Sequence, residues 1–175
     1  VAPAVAFPAS AWRSERAALV ARIASELGPR AVVKPRWGGS SVATAVVATR
    51  GDELEGAVDA ALAADPCCLV EAFVAGVEVS CGILGNALEE PRILPSVEIR
   101  PAPGRFFDYQ QKYDAAGAIE ICPAQSLSPA SESAVGRAAA RAHSVAGCDG
   151  YSRVDFIVPP PARGSGECYR SLPAR

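Results

Sequence analysis

Between residues 13 and 27 (RSERAALVARIASEL), Ala17, Leu19, Val20, Ile23, Ala24 and Leu27 recur at the spacing of one helix face, and Gly28-Pro29 ends the pattern. The spacing predicts an α-helix. Ala31-Val32-Val33 reads as a buried strand leading into Lys34-Pro35, and after Gly38-Gly39-Ser40-Ser41 the run Val42 to Thr49 (VATAVVAT) reads as a second strand, giving a hairpin with a glycine-rich crossing. Gly51 to Ala64 (GDELEGAVDAALAA) is a second helix, with acidic residues near its start, where the helix dipole favours them. From Cys67 the pattern turns β-rich: CCLVEAFV, GVEVSCGIL, a turn region from Asn86 to Pro91, then RILPSVEIR, together predicting an antiparallel meander. Residues 104 to 118 (GRFFDYQQKYDAAGA) hold no period and read as an ordered surface loop, followed by the short segment AIEICPA. Ser131 to Ala146 is predicted as a helix stopped by Gly147, and Tyr151 to Val158 (YSRVDFIV) as a strand. The tail PPPARGSGECYRSLPAR has little apolar content and reads as loosely held.

Composition narrows this picture. The chain has 175 residues, half of them hydrophobic, with 17 basic against 19 acidic side chains and a net charge of -2, so no bulk field draws it to nucleic acid or to a membrane surface. The opening VAPAVAFPASAW is broken by Pro3 and Pro8, has no basic leader and is too short for a membrane span, which points to the cytoplasm. Its first residue is Val rather than Met, which suggests residues missing upstream. The six cysteines include no C-x-x-C pair, and a chain of this size needs no cross-links, so they read as reduced and mostly buried. His143 on the Ser131 to Ala146 helix has no partner motif and reads as a solvated helix-face histidine.

Four constellations could carry chemistry. Lys34 stands at a strand end beside Gly38-Gly39-Ser40-Ser41; glycines let backbone amides approach an anion and serines add hydroxyl donors, while a plain hairpin with a surface lysine is the equal alternative. Because the lysine precedes the glycines, this is not a Walker loop. Glu71, Phe73 and Glu78 lie on a strand, turn and strand that could offer an aromatic wall and carboxylates to a nucleoside, or could merely belong to a β-meander. Arg153 and Asp155 alternate onto one strand face opposite Val154 and Phe156, suited either to phosphoryl transfer or to a structural ion pair. Lys112 and Tyr113 end the run FFDYQQKY in a loop that could close over a substrate or pack by its aromatics alone.

Taken in order, VVKPRWGGSSV, VEAFVAGVEVSCGILGN, FFDYQQKY and GYSRVDFIV resemble the successive signatures of the D-alanyl-D-alanine ligases of the ATP-grasp superfamily, over about residues 30 to 158. The resemblance implies an α+β ATP-grasp fold, two lobes with antiparallel sheets clasping ATP, truncated at both ends. It divides the chain into a central (lid) subdomain at 1–70, a C-terminal subdomain at 71–158 and an irregular tail at 159–175. The implied reaction phosphorylates the carboxylate of one D-alanine and lets the amine of a second attack the acyl phosphate, giving the dipeptide used in peptidoglycan. By the same resemblance Lys34 contacts the ATP phosphates, Ser40 lies in the loop over them, Glu71, Phe73 and Val74 line the adenine pocket, and Glu78 binds ribose. Lys112 reaches the terminal phosphate, Tyr113 meets Ser40 as the loop closes, Arg153 steadies the transferred phosphoryl group, and Asp155 is one ligand of Mg²⁺ or Mn²⁺. A homodimer is an option in the intact family.

Two departures temper the expectation. The family carries an N-terminal domain that helps bind the first D-alanine, whereas this chain starts shortly before the central lobe. Beyond the Arg-x-Asp strand the family has a Glu and an Asn that complete the Mg²⁺ sites; here Gly166 to Tyr169 and Ser171-Leu172-Pro173 match the flanks, and the two ligands are missing between them. The expectation is therefore an incomplete, weakly active or inactive ligase fragment. Another ATP-grasp carboxylate-amine ligase and a non-catalytic nucleotide-binding module are the alternatives.

Overall fold

The computed structural model describes residues 1–88, 90–100 and 119–160, and the backbone of 170–171. These form two compact units, Ala2–Phe73 and the residues from Val74 onward.

In the first unit β1 (Ala4–Pro8), β2 (Arg30–Pro35), β3 (Ala45–Ala48) and β4 (Cys67–Ala72) make an antiparallel sheet in the order β1-β4-β2-β3. Helices α1 (Ala9–Glu26) and α2 (Asp52–Ala64) cover one face. Strand alternation selects that face: Ala31, Val33, Cys68 and Val70 point to the helices and share a core with Trp12, Leu19, Ile23, Leu54 and Val58. Trp12 stacks on Phe7 at 5.6 Å between centroids, and its indole N–H donates to Asp59 Oδ1 at 2.6 Å, so one side chain joins β1, α1 and α2.

Two boundaries differ from the predicted ones. The opening segment is an edge strand, and α1 begins at Ala9 rather than residue 13, because Pro8 suits a helix entry, where a missing N–H costs no intrahelical bond. The strand predicted from Val42 to Thr49 is confined to Ala45–Ala48: Ser40, Ser41 and Ala43 have φ of 55°, 57° and 50°, a left-handed backbone that no strand can contain.

The second unit holds β5 (Val77–Leu84), β6 (Arg92–Ile93), β7 (Val97–Arg100), β8 (Ile119–Ile121), β9 (Tyr151–Val158) and β10 (Arg170–Ser171), with α3 (Pro129–Val145) packed on β5 and β9. The order is β10-β9-β5-β7-β8, with β6 also on β5, and every pairing is antiparallel. Val79, Cys81, Ile83, Val154 and Phe156 face α3 and build the core with Val135 and Ala139. The predicted continuous meander is thus corrected: β4 stays in the first sheet, and β5 pairs with β9 and β7. Gly76 permits this start, since a Cβ there would lie 2.4 Å from the Val158 carbonyl oxygen. α3 begins at Pro129, two residues before the predicted Ser131, because the Ser128 hydroxyl caps it by accepting from the Ser131 amide at 3.1 Å.

His143 also departs from expectation. It is 1% exposed rather than solvated. Its Nε2 lies 3.1 Å from the Gly85 carbonyl, which can only accept, so Nε2 carries a proton, and its Nδ1 shares a hydrogen bond of 2.8 Å with the Ser152 hydroxyl. The residue thereby fastens α3 to the end of β5 and the start of β9, places far apart in the chain that no local periodicity connects. The cysteines among the described residues are free, as predicted, but only Cys68 and Cys81 are buried; burial raises their thiols to about 12 and about 11, so both stay protonated and unreactive. Cys122 is exposed, Cys67 and Cys148 are half-buried, and Cys168 lies outside the described residues. No described helix is long and apolar enough to cross a membrane.

Replacing His143 by Ala leaves the Gly85 carbonyl and the Ser152 hydroxyl without their partner in a closed core. The expected loss of stability is about 2–4 kcal/mol in urea unfolding. A solvated histidine would give a change within about 0.5 kcal/mol.

Candidate functional site

In both sheets the helices occupy one face, and the candidate residues that lie on described strands occupy the other. On β2 and β4, Val32, Lys34, Leu69 and Glu71 alternate away from the helix-packed Ala31, Val33, Cys68 and Val70. Lys34 is level with Leu69 and Val32 with Glu71, so Lys34 and Glu71 are diagonal neighbours across the pairing. Their side chains meet, Nζ to Oε2, at 2.5 Å, with Glu71 buried and Lys34 half-buried. Two residues assigned by resemblance to opposite ends of a nucleotide are here a single ion pair. Burying the carboxylate without the ammonium would leave an uncompensated charge, which makes each side chain a condition for the other's position.

Beyond Lys34 the strand ends at Pro35 and the glycine-serine loop begins. The Val42 amide donates to the Gly39 carbonyl and the Thr44 amide to the Ser41 carbonyl, closing two tight turns at 3.3 and 3.1 Å. Left-handed backbone at Ser40, Ser41 and Ala43 is costly for residues with a Cβ, and such clusters occur where a fold imposes a special amide arrangement. Phe73 closes the first unit: its amide donates to the Arg30 carbonyl at 3.1 Å, and the Arg30 guanidinium covers its ring at 4.1 Å. Val74 opens the second unit and is half-buried.

On the second sheet, register places Glu78 opposite Ile157, Ser80 opposite Asp155 and Gly82 opposite Arg153, all on the face turned from Val79, Cys81, Val154 and Phe156. The Arg153 and Asp155 side chains are therefore neighbours, as the alternation predicted, with Nε to Oδ1 at 2.9 Å and Nη2 to Oδ2 at 3.3 Å. Ser80, which no motif singled out, donates its hydroxyl to Asp155 Oδ1 at 2.7 Å and fixes the carboxylate from β5. Among the described residues no group of three or more His, Cys, Asp or Glu could hold a metal ion. Asp155 is one carboxylate already met by Arg153 and Ser80, so the described residues are not a metal centre by themselves. Lys112, Tyr113 and the segment from Gly166 to Tyr169 lie outside the described residues.

A further residue missed in the sequence is Glu98, 2% exposed on the helix-covered side of β7. Its Oε1 accepts from Arg100 Nε at 2.6 Å and the Ser126 hydroxyl at 2.7 Å, and its Oε2 accepts from the Gln125 and Ser126 amides at 2.9 and 2.8 Å. Burial pushes this carboxyl upward, but the Arg100 guanidinium, the Ser126 hydroxyl and the two amides outweigh it and hold the group at about 2. The clamp ties β7 to the approach of α3. It also sits where the chain leaves β7 at Arg100 and re-enters at Ile119, the two being level across the β7–β8 pairing. The signal available was the pair Glu98-x-Arg100, the same two-residue spacing as Arg153-x-Asp155. An open cavity of about 560 Å³, lined by Ala75, Gly76, Ser126, Ser128, Val158 and Pro159 among others, includes none of the predicted site residues.

Against known proteins, a family model described as "D-ala D-ala ligase C-terminus" matches residues 1–165. The D-alanine--D-alanine ligase of Halalkalibacterium halodurans is 44% identical over 128 residues, 73% of this chain and 41% of that protein. That of Syntrophobacter fumaroxidans is 41% identical over 137 residues, 78% of this chain and 43% of that protein. Among solved structures, the VanG D-Ala:D-Ser ligase from Enterococcus faecalis superposes with a TM-score of 0.78 at 31% identity, covering 99% of this chain and 47% of that one. The D-alanine--D-alanine ligase from Bacillus anthracis gives 0.68 at 27% identity, covering 99% and 50%. The chain thus spans less than half the length of these curated relatives.

The Glu98 clamp sets an acid limit on stability. The group titrates at about 2 when folded against an ordinary value of 4.5, so its contribution is complete above about 4.5. As pH falls toward 2 the unfolded chain takes up a proton that the folded chain refuses, and the contribution is lost. Urea midpoints compared at pH 6 and pH 3 are expected to fall more for the wild type than for Glu98→Gln, which lacks this titration.

Proposed function

From the premise that this chain belongs to the D-alanine--D-alanine ligase family, matching its C-terminal domain, we propose that it is the nucleotide-binding and phosphoryl-transfer portion of an ATP-dependent ligase that joins two D-alanines. Its fold is the α+β ATP-grasp fold of these ligases. The observation that supports the reading best is Lys34, held by Glu71 on the charged face of the first sheet and followed within a few residues by a loop of glycines and left-handed serines. An ammonium beside backbone amides freed from strand pairing is the arrangement an oligophosphate requires.

In the proposed reaction a D-alanine carboxylate oxygen attacks the terminal phosphorus of ATP; ADP leaves, and the product is D-alanyl phosphate. The amine of a second D-alanine then attacks the acyl carbon, inorganic phosphate leaves, and the amine proton passes to solvent or base. Lys34 and the Ser40 loop would hold phosphate oxygens. Glu71, Phe73 and Val74 would border the adenine, and Glu78 would accept from ribose hydroxyls. Arg153, fixed by Asp155, would meet the negative charge that builds on the phosphoryl group, and Lys112 and Tyr113 would serve the terminal phosphate and loop closure. Asp155 would supply one carboxylate to a Mg²⁺ or Mn²⁺ ion accompanying the phosphates. The first unit would correspond to the central subdomain of the family and the second to its C-terminal subdomain. The dipeptide would enter peptidoglycan.

Calorimetric titration of ATP into the folded chain is expected to show binding, and Lys34→Ala to weaken it by about tenfold to a hundredfold, the worth of a charge-assisted hydrogen bond. A well-folded chain that takes neither ATP nor ADP would favour a packing role for these strands and overturn the proposal.

A further inference from the structure

The glycine-serine loop is fastened at its entrance by a carboxylate that lies 28 residues away in sequence from the amide it holds. β2 leaves the sheet at Pro35, which has no amide hydrogen; the next two amides are tied to the first residue of β4 and to the turn ahead of it. The Arg36 amide donates to the Cys67 carbonyl at 2.9 Å, and the Trp37 amide donates to Asp65 Oδ2 at 3.2 Å. The other oxygen, Asp65 Oδ1, accepts from the Cys67 amide at 2.7 Å. Asp65 is 8% exposed and follows the last residue of α2, where its own amide still donates to the Ala61 carbonyl at 3.0 Å. One buried carboxylate therefore links the end of α2, the start of β4 and Trp37 at the loop entrance. The Arg36 guanidinium over the Trp37 ring at 5.5 Å leaves that pair outside while both backbone amides are held. One residue later Gly38 takes φ of 128°, and the left-handed serines follow.

We propose that Asp65 is a positioning residue for the phosphate grip: by accepting from the Trp37 and Cys67 amides together, it sets the angle at which the loop departs and so the aim of the amides and hydroxyls at Gly39, Ser40 and Ser41. The inference rests on the reading of that loop as a phosphate grip. Helix packing does not require the carboxylate, because the core beneath it is built from Leu54, Val58 and Ala61. Nor does strand pairing require it, because β2 and β4 are already in register from Ala31 to Pro35. What it adds is confined to the first turn of the loop.

Asp65→Asn separates this role from general support. The amide side chain keeps one acceptor oxygen, which is expected to stay with the closer Cys67 amide, and turns an N–H₂ toward Trp37, whose amide then has no acceptor. On the whole chain of 175 residues, titrated with ATP in the presence of magnesium chloride, the variant is expected to bind about tenfold more weakly. The Trp37 amide is expected to lose its protection from hydrogen exchange while amides of β2 and β4 keep theirs. An Asp65→Asn chain that binds ATP within about twofold of wild type overturns the inference, as does one whose protection falls equally throughout β2 and β4. A wild-type chain that is folded and does not bind ATP sinks the phosphate reading of the loop and the inference with it; equal binding by wild type and variant sinks only the second. Should the variant fail to fold, Gly38→Ala serves: a Cβ there meets nothing within 4 Å, so only the backbone at φ of 128° resists it, and a similar loss of ATP affinity is expected with the core intact. Unchanged affinity in Gly38→Ala then counts against the loop entrance as a determinant.

Discussion

The antiparallel pairing of β2 with β4 is the constraint on which the first unit depends. With Val33 level with Val70 and Lys34 level with Leu69, a strict two-residue alternation sends the aliphatic side chains to the helices and leaves Lys34 and Glu71 diagonal on the other face. A slip of β2 by one residue would turn Lys34 toward Leu54 and Val58 and send Val33 to the open face. The core and the charged pair therefore select the same register for separate reasons, one by removing apolar surface from water and the other by refusing an unpaired buried carboxylate.

The second unit repeats the division of labour with different parts. The long pairing of β5 with β9 sets Val79, Cys81, Ile83, Val154 and Phe156 toward α3, and the same register sets Ser80 beside Asp155 and brings Arg153 onto the open face. Buried polar groups then lock the periphery. His143 joins α3 to the turn at Gly85 and to Ser152, while Glu98 joins β7 to the segment before α3. Each uses its full hydrogen-bonding capacity toward the protein, which is why each can be buried at all. Neither stands on the face that carries Glu78, Arg153 and Asp155, so these two locks lie away from the charged face of the sheet.

Legibility followed the range of the forces involved. The helices at Ala9–Glu26, Asp52–Ala64 and Pro129–Val145 and the strands around Val33, Val70, Val79 and Val154 were visible, because burial imposes a period that survives in one dimension. The Arg153–Asp155 pair was visible for the same reason, both residues lying on one strand at a spacing of two. The burial of His143 is invisible in the sequence because its two partners, at Gly85 and Ser152, come from strand ends that only chain folding brings to α3. The strand at Ala45–Ala48 is shorter than the run from Val42 to Thr49 suggests, because β-branched residues favour extension locally while the loop adopts left-handed backbone at Ser40, Ser41 and Ala43.

For the glycine-serine loop and its lysine, sequence by itself determined the family to which the chain belongs, the strand that presents Lys34 and the residues that could meet phosphate, since each depends on residue type and short spacing. Tertiary structure alone decided that Lys34 is paired to Glu71, that Asp155 is steadied by Ser80, that Glu98 holds its charge under burial, and that Asp65 accepts from the Trp37 amide at the loop entrance. The physical reason is common to all four. An ion pair or a buried carboxylate acquires its partner from strand register and turn packing between residues distant in the chain, and register is the outcome of burying two hydrophobic faces at once rather than a property of any segment alone.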